Sequence, residues 1–483
     1  MDWYCYVLIG LGALVLLLLA VVLIRTMAFK PQKIATKTFE NEEFNKDLAV
    51  QNLQELIKCK TISDYDKSKE DEKEFEKLYA LLPKLYPNVI NNCEKIEIEN
   101  RGLLYKWVGK NHDKPAVLMA HYDVVSVVEE NWDKPPFGAV LENGVLWGRG
   151  TLDTKVTFNA ILYSVNHLIE KGFVPENDIY LAFSGGEEIN GLGAVDIVNY
   201  FKQNNVTPYI VVDEGGAVVE NVFPGVKQPC GLVGIAEKGM MNLKFTNKSN
   251  GGHASSPKPH TPIGILSKAC VNVENNPFKA KISTPVLEMF NTLGRRSTFV
   301  YRMIFANMWL FKGVLDLICK KSGGELNAMM RTTVAFTQAE GSQGVNVIPP
   351  VASITANMRI NPNDSVKLAE DYIKKVVDNN DVVLENLTSV EPSPISECKC
   401  EQFDRVANAI NGTWGTDVIV SPYLMVQCSD SRHYRDISNH VYRFSAMDLT
   451  SEERKTIHGN NERIRVETIH RAVEFYIRLI KQC

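Results

Sequence analysis

The sequence predicts an α/β fold, and three observations predict it. Short apolar runs at residues 103–108, 116–119, 179–183 and 209–212 are bounded by turn residues. Helical patterns at 158–171 and 194–201 fall between them. Strands alternating with helices imply a sheet with helices packed against it. Third, two runs stop in glycines and acids. The first hands over at Gly185-Gly186 to Glu187 and Glu188, and the last stops at Asp213-Glu214-Gly215-Gly216. Acids delivered where strands end are a usual way to build a site at the carboxyl edge of such a sheet.

The chain has 483 residues, long enough for two or three domains. A formal net charge of −4 leaves no polybasic footprint, so nucleic acid is not an expected partner. Ten cysteines are spread out with no Cys-x-x-Cys. Cys398 and Cys400 are too close for an easy mutual disulfide and too isolated for a zinc knuckle, so free thiols are expected.

Residues 3–24 are uncharged and rich in Leu and Val. As a helix they span ~33 Å, enough for a bilayer core of ~30 Å. A cleaved signal peptide would want a basic start and a shorter apolar run. Here Asp2 precedes the run and the first basic residue is Arg25, so a retained single-span membrane anchor is expected. Arg25, Lys30 and Lys33 after the span favour a cytoplasmic body by the positive-inside rule. The Asn-x-Ser/Thr triplets at Asn205, Asn247, Asn386 and Asn411 argue for the other side.

Residues 31–45 read as a polar linker and 47–58 as a helix. The charge-dense stretch 64–77 runs into Leu78, Leu81, Leu82 and Leu85, the pattern of a surface helix with one apolar stripe. Residues 299–319 are unusually apolar and aromatic but contain Arg302, Lys312 and Asp316. Each central charge would cost a membrane helix ~2.5–3.5 kcal/mol. A helical pair buried in a smaller domain is therefore expected, rather than a second span. The sharper alternative is an apolar wall for a fatty acyl chain or a contact with the membrane surface. Helices at 366–377 and 401–410, and an amphipathic helix from Val466 to Ile480, close the chain.

Five motifs carry the chemistry. His121 and Asp123 lie two apart at the end of a strand and point the same way. The glycine-punctuated turn around Gly148 and Gly150 delivers Asp153, whose two oxygens are able to bridge two cations. Glu187-Glu188 and Asp213-Glu214 follow at strand ends, and His458 comes late. Taken alone, a Glu-Glu turn is most simply solvated surface. Together the motifs offer two imidazoles and three carboxylates, one bridging. That set suits a pair of zinc ions about 3.5 Å apart.

In type and order, His-x-Asp, Gly-Arg-Gly-x-x-Asp-x-Lys, Glu-Glu-x-x-Gly, Asp-Glu-Gly, Gly-Gly-His-Ala and a late His resemble the M20 metallopeptidases. Val-Pro-Glu-Asn-Asp-Ile before the strand at 179 and Ser429-Asp-Ser-Arg-His-Tyr434 resemble its carboxypeptidase S and N-fatty-acyl-amino-acid synthase/hydrolase branch. The resemblance implies a dinuclear-zinc exopeptidase-like catalytic domain, a mixed sheet flanked by helices, at residues 40–233 and 365–483. An α+β lid domain at 234–364 would be inserted in it.

The resemblance also implies roles. His121 and one of Asp213 and Glu214, with Asp213 favoured, would hold one Zn2+. Glu188 and His458 would hold the other, and Asp153 would bridge. Glu187 would be the general base and Asp123 would orient His121. His253 would steady the oxyanion, in dimeric relatives from the opposite subunit, while Asn346 and Arg359 would grip a substrate carboxylate. Gly186 departs from the Asp often found there, a position that is not a ligand. The expected activity is zinc-dependent cleavage, and reversible formation, of the amide bond of N-acyl amino acids, or cleavage of dipeptides with a free carboxylate. A peptide carboxypeptidase and an inactive binding homologue are the alternatives. Family precedent puts the body on the lumenal or extracellular side.

Overall fold

The computed structural model describes residues 3–31, 39–221 and 223–483. Asp2, Lys33 and residues 32–38 of the expected linker lie outside the described residues.

The body is built on an eight-stranded mixed sheet. Its order is Glu94–Glu97, Gly102–Trp107, Asn177–Ser184, Asn111–His121, Ile210–Val219, Val441–Leu449, Cys230–Glu237 and Ile419–Met425. The Asn111–His121 strand runs parallel to both its neighbours, with His121 opposite Ser184 and Leu118 opposite Val212. These three strands are apolar runs because helices cover the sheet. Asn177–Ser184, for instance, is buried at every position. The helices Lys155–Glu170 and Val466–Ile480 pack against each other and cover this core. Phe158 meets Phe183 edge-on with ring centroids 4.6 Å apart. Truncating one such buried ring typically costs roughly 3–5 kcal/mol.

A second, four-stranded antiparallel sheet has its own core. Its order is Thr333–Glu340, Val351–Ile360, Gly239–Lys248 and Val383–Val390. The helices Pro262–Asn275 and Val366–Val377 cover it. Two expectations change here. The helix at 366–377 does not return to the main body, because Ala369, Ile373 and Val377 are buried against Leu243, Phe245 and Ala356 of the small sheet. Conversely, the apolar stretch 299–319 does not bury itself in the smaller domain. It forms the helices Phe299–Ala306 and Met308–Ser322, whose inward residues Phe305, Leu315 and Cys319 join the main core. Phe223, Phe290 and Phe305 pack ring on ring there, with centroids 4.7–5.9 Å apart.

The N-terminal apolar segment is one helix, Trp3–Ala28, and only Val22 and Thr26 in it are buried. Among the described residues it is the one helix long and apolar enough to cross a membrane. Of the four Asn-x-Ser/Thr triplets, Asn205 and Asn386 are exposed. Asn247 is buried and donates to the Asp381 carbonyl, so it is closed to modification.

Candidate metal centre

Three parallel strand ends and two loops bring the expected ligands to one place. His121 ends its strand and is 2% exposed. Its Nε2 lies 3.0 Å from Asp153 Oδ1 and 3.3 Å from Glu214 Oε1. His458 Nε2 lies 3.0 Å from Asp153 Oδ2 and 3.0 Å from Glu188 Oε2. Each oxygen of Asp153 therefore faces a different imidazole. The result is two triads, His121–Asp153–Glu214 and Asp153–Glu188–His458, sharing one carboxylate.

Between Asp213 and Glu214 the structure turns Glu214 to the site. Asp213, favoured from the sequence, points the other way, and its Oδ2 accepts from the Ser431 backbone N–H at 2.9 Å. The reason is a local break in the strand. The register with Val441–Leu449 shifts after Asp213, Gly215 sits at φ +141°, and its N–H donates to Ser445 Oγ. A Cβ at Gly216 would stand 1.8 Å from the Leu232 carbonyl oxygen, so only glycine passes here.

The groups around the ligands fix them. His121 Nδ1 lies 3.0 Å from the Asp123 carbonyl oxygen and 3.3 Å from its carboxylate. With the proton held there, Nε2 is left to ligate. The Asp123 carboxylate also accepts from Ser63 Oγ at 2.5 Å and from the backbone N–H groups of Glu187 and Glu188. Asp123 thus holds both the imidazole and the turn that carries the next two acids. Ser184 Oγ donates to Asp430 below that turn.

One functional residue escaped the sequence reading. Glu462 is fully buried and its carboxylate accepts from the N–H groups of Gly150, Leu152 and Asp153 and from Arg149. It clamps the loop that presents Asp153, four residues after His458 in the chain. The signal was its place in the same short segment as His458, an acid between two polar asparagines and an arginine.

The electrostatics are those of crowded acids. No lysine or arginine pairs with Asp153, Glu188 or Glu214 among the described residues. Asp153 and Glu188 raise the His458 pKa to about 10. Burial lowers that of His121, but Glu214, Asp123 and Asp153 outweigh it and hold it well above the ordinary range. Burial pushes Glu214 up to about 7, helped by Asp153. Burial also raises Glu187 well above the carboxylate range; His121 opposes this, and Asp430, Glu214 and Glu188 add to it. Carboxylates crowded together with no lysine or arginine beside them are a setting that bound positive charge relieves. Two His nitrogens and three carboxylates, with no thiolate, fit a pair of divalent cations.

The triads open on a cleft of about 630 Å³. Asp153, Glu187, Glu188, Glu214 and His458 line it, together with the apolar side chains of Ala217, Val219, Leu232, Tyr423, Met425 and Leu449. Arg359 Nη1 lies 3.5 Å from the Sγ of Cys428, which lines the cleft. His253 and Asn346 are not brought in. They sit together on an exposed two-stranded ribbon, Gly252–His253 with Val347–Ile348, where the Asn346 carbonyl accepts from Ala254 N.

Comparison with known proteins places the chain in a family. The chain is 34% identical over 439 residues to probable carboxypeptidase S-like 2 of Dictyostelium discoideum, covering 89% of this chain and 84% of that one. It is 34% identical over 477 residues to the N-fatty-acyl-amino acid synthase/hydrolase PM20D1 of Xenopus tropicalis, covering 96% and 92%. Its fold is similar to that of the M20 family metallo-carboxypeptidase Sso-CP2 of Sulfolobus solfataricus. The TM-score is 0.64 at 18% identity, over 90% of this chain and 98% of that one. Residues 117–482 match the model of peptidase family M20/M25/M40, and the chain belongs to that family of metal-dependent enzymes.

Proposed function

We propose that this chain is a dinuclear zinc hydrolase that cleaves the amide bond of N-acyl amino acids, N-fatty-acyl amino acids among them. His121 and Glu214 would hold one zinc, Glu188 and His458 the other, and Asp153 both. When bound, the pair supplies Lewis acidity to water and to the substrate carbonyl. Glu187 takes the proton of the attacking water and returns it to the leaving nitrogen, a task that suits a carboxylate whose proton affinity has been raised. Arg359 receives the free carboxylate of the amino acid through two parallel hydrogen bonds. Supporting this, buried Lys238 feels Arg359, and burial together with that neighbour lowers its pKa to about 7. A substrate anion relieves such crowding of cations.

His253 and Asn346, on their exposed ribbon, meet the substrate from a second copy of the chain in a homodimer formed through the smaller domain. Residues 3–24 stay as a single-pass anchor, with the body lumenal or extracellular, an arrangement that protease protection of sealed vesicles tests. Because hydrolysis is reversible, the same site forms the amide where fatty acid and amino acid are both concentrated.

The observation that carries the reading is that apolar side chains line the same cleft as the triads. Purified full-length chain is expected to hydrolyse N-oleoyl-phenylalanine faster than N-blocked dipeptides and to lose activity with a chelator. Activity indifferent to chelation contradicts the metal mechanism. The relative named as carboxypeptidase S-like favours a second reading, a membrane-anchored carboxypeptidase acting on peptides. Preference for the blocked dipeptides in the same assay selects it.

A further inference from the structure

We propose that the outward faces of the helices Phe299–Ala306 and Met308–Ser322 rest in the surface of the lipid bilayer that the helix Trp3–Ala28 crosses. The body would then hold the membrane at a second, monotopic contact beside its anchor.

The first observation is a reversed amphipathic pattern. Leu315 and Cys319 face the protein core, as expected of a helix packed on a body. The opposite face carries Leu310, Val314 and Leu317, at helical spacing, 40–57% exposed. Phe299 and Val300 of the neighbouring helix are 51% and 61% exposed, and Trp309, at the junction, 51%. Soluble proteins rarely leave so continuous an apolar patch in water; such a patch marks a docking surface.

The second observation says what covers it. The Trp3–Ala28 helix packs on Phe299–Ala306. Asn307, fully buried, donates to the Val22 carbonyl and to Thr26 Oγ1 at 3.2 Å each. Arg25 donates to the Ala306 carbonyl, and Arg295 to that of Lys30. These contacts use the last two turns of the apolar helix and the residues just after it. The 19 residues before Val22 rise ~28 Å, close to the ~30 Å of a hydrocarbon core. A bilayer seated on residues 3–21 therefore ends at the level of Val22, where the two helices lie. Their composition suits that depth. Trp309 and Tyr301 are the residue types of the membrane interface, and Lys312 and Lys321 are exposed to reach lipid phosphates.

The test uses the full-length chain reconstituted in phosphatidylcholine vesicles whose acyl chains carry bromine, which quenches tryptophan emission on contact. Wild type and Trp309→Phe are compared. The account expects wild type to lose more emission, by one tryptophan's share of the six. Equal losses, the result if water or a protein covers the face, overturn it. In Val314→Lys/Leu317→Lys the Trp309 share of quenching is expected to fall, while hydrolysis of a short-chain substrate stays as in wild type. Unchanged quenching in that variant also overturns it. The readout is fluorescence, so it stands or falls apart from the proposed substrate.

Discussion

The carboxyl edge of the large sheet and the Gly252–His253 ribbon carry two halves of the expected site under opposite conditions. At the sheet edge the proposed ligands His121, Asp153, Glu188 and Glu214 are buried or half-buried, His458 alone among the five being exposed, and groups from distant parts of the chain hold the site. Asp153 depends on Glu462, and His121 and Glu187-Glu188 depend on Asp123, which in turn depends on Ser63. On the ribbon, His253 is exposed and its ring touches Ser255 Oγ, two residues away. The first half is organised before substrate arrives; the second gains its surroundings from whatever meets it. Substitutions should therefore separate the two: at the sheet edge, changes to the proposed ligands and to the groups that hold them cost fold or metal, whereas changes on the ribbon cost only turnover.

The largest expected effect is on turnover itself. Glu187→Gln keeps the ligands and removes the proton acceptor, so kcat should fall by ~10²–10⁴-fold with metal content unchanged. A variant that loses metal instead would make Glu187 a ligand. Next comes the contrast in stability. Glu462→Ala leaves Arg149 buried beside empty space and should cost roughly 3–5 kcal/mol. His253→Ala removes an exposed ring and should change denaturant midpoints by no more than about 0.5 kcal/mol. Equal costs would erase the comparison.

Asp123→Asn tests the layer behind the ligands. It should weaken metal retention by ~10–100-fold in a chelator competition, with the fold intact. The smallest effect is a pH dependence from the turn beneath the site. Burial and Arg432 lower the His433 pKa from 6.5 to about 4. Between those values the unfolded chain binds a proton that the native state does not, so stability falls as pH drops from 6.5 toward about 4. His433→Gln should flatten that part of the urea-midpoint profile and leave it unaltered above pH 7.

Much of this was legible in the sequence because the chemistry sits at strand ends, where period-two alternation and glycine stops leave a clear mark. The structure brings His121, Asp153, Glu188 and His458 together and sets Glu187 in the lining of the same cleft. The choice between Asp213 and Glu214 was not legible. Alternation says that one faces the site, but the break at Gly215-Gly216 decides which, and the neighbours of that break, Ser445 and Leu232, lie far away in the chain. Glu462 was hidden for a related reason: its partners are backbone N–H groups more than 300 residues away. The helix Val366–Val377 shows the same limit in the fold. Its stripe of Ala369, Ile373 and Val377 announces a buried face without naming the sheet that buries it.

The central claim is that two cations share Asp153. Anomalous scattering from crystals of the full-length chain, recorded on both sides of the zinc edge, tests it most directly. The account predicts two peaks about 3.5 Å apart, one between His121 and Glu214, the other between Glu188 and His458, with Asp153 touching both. One peak alone, none, or a peak coordinated by Asp213 would contradict it.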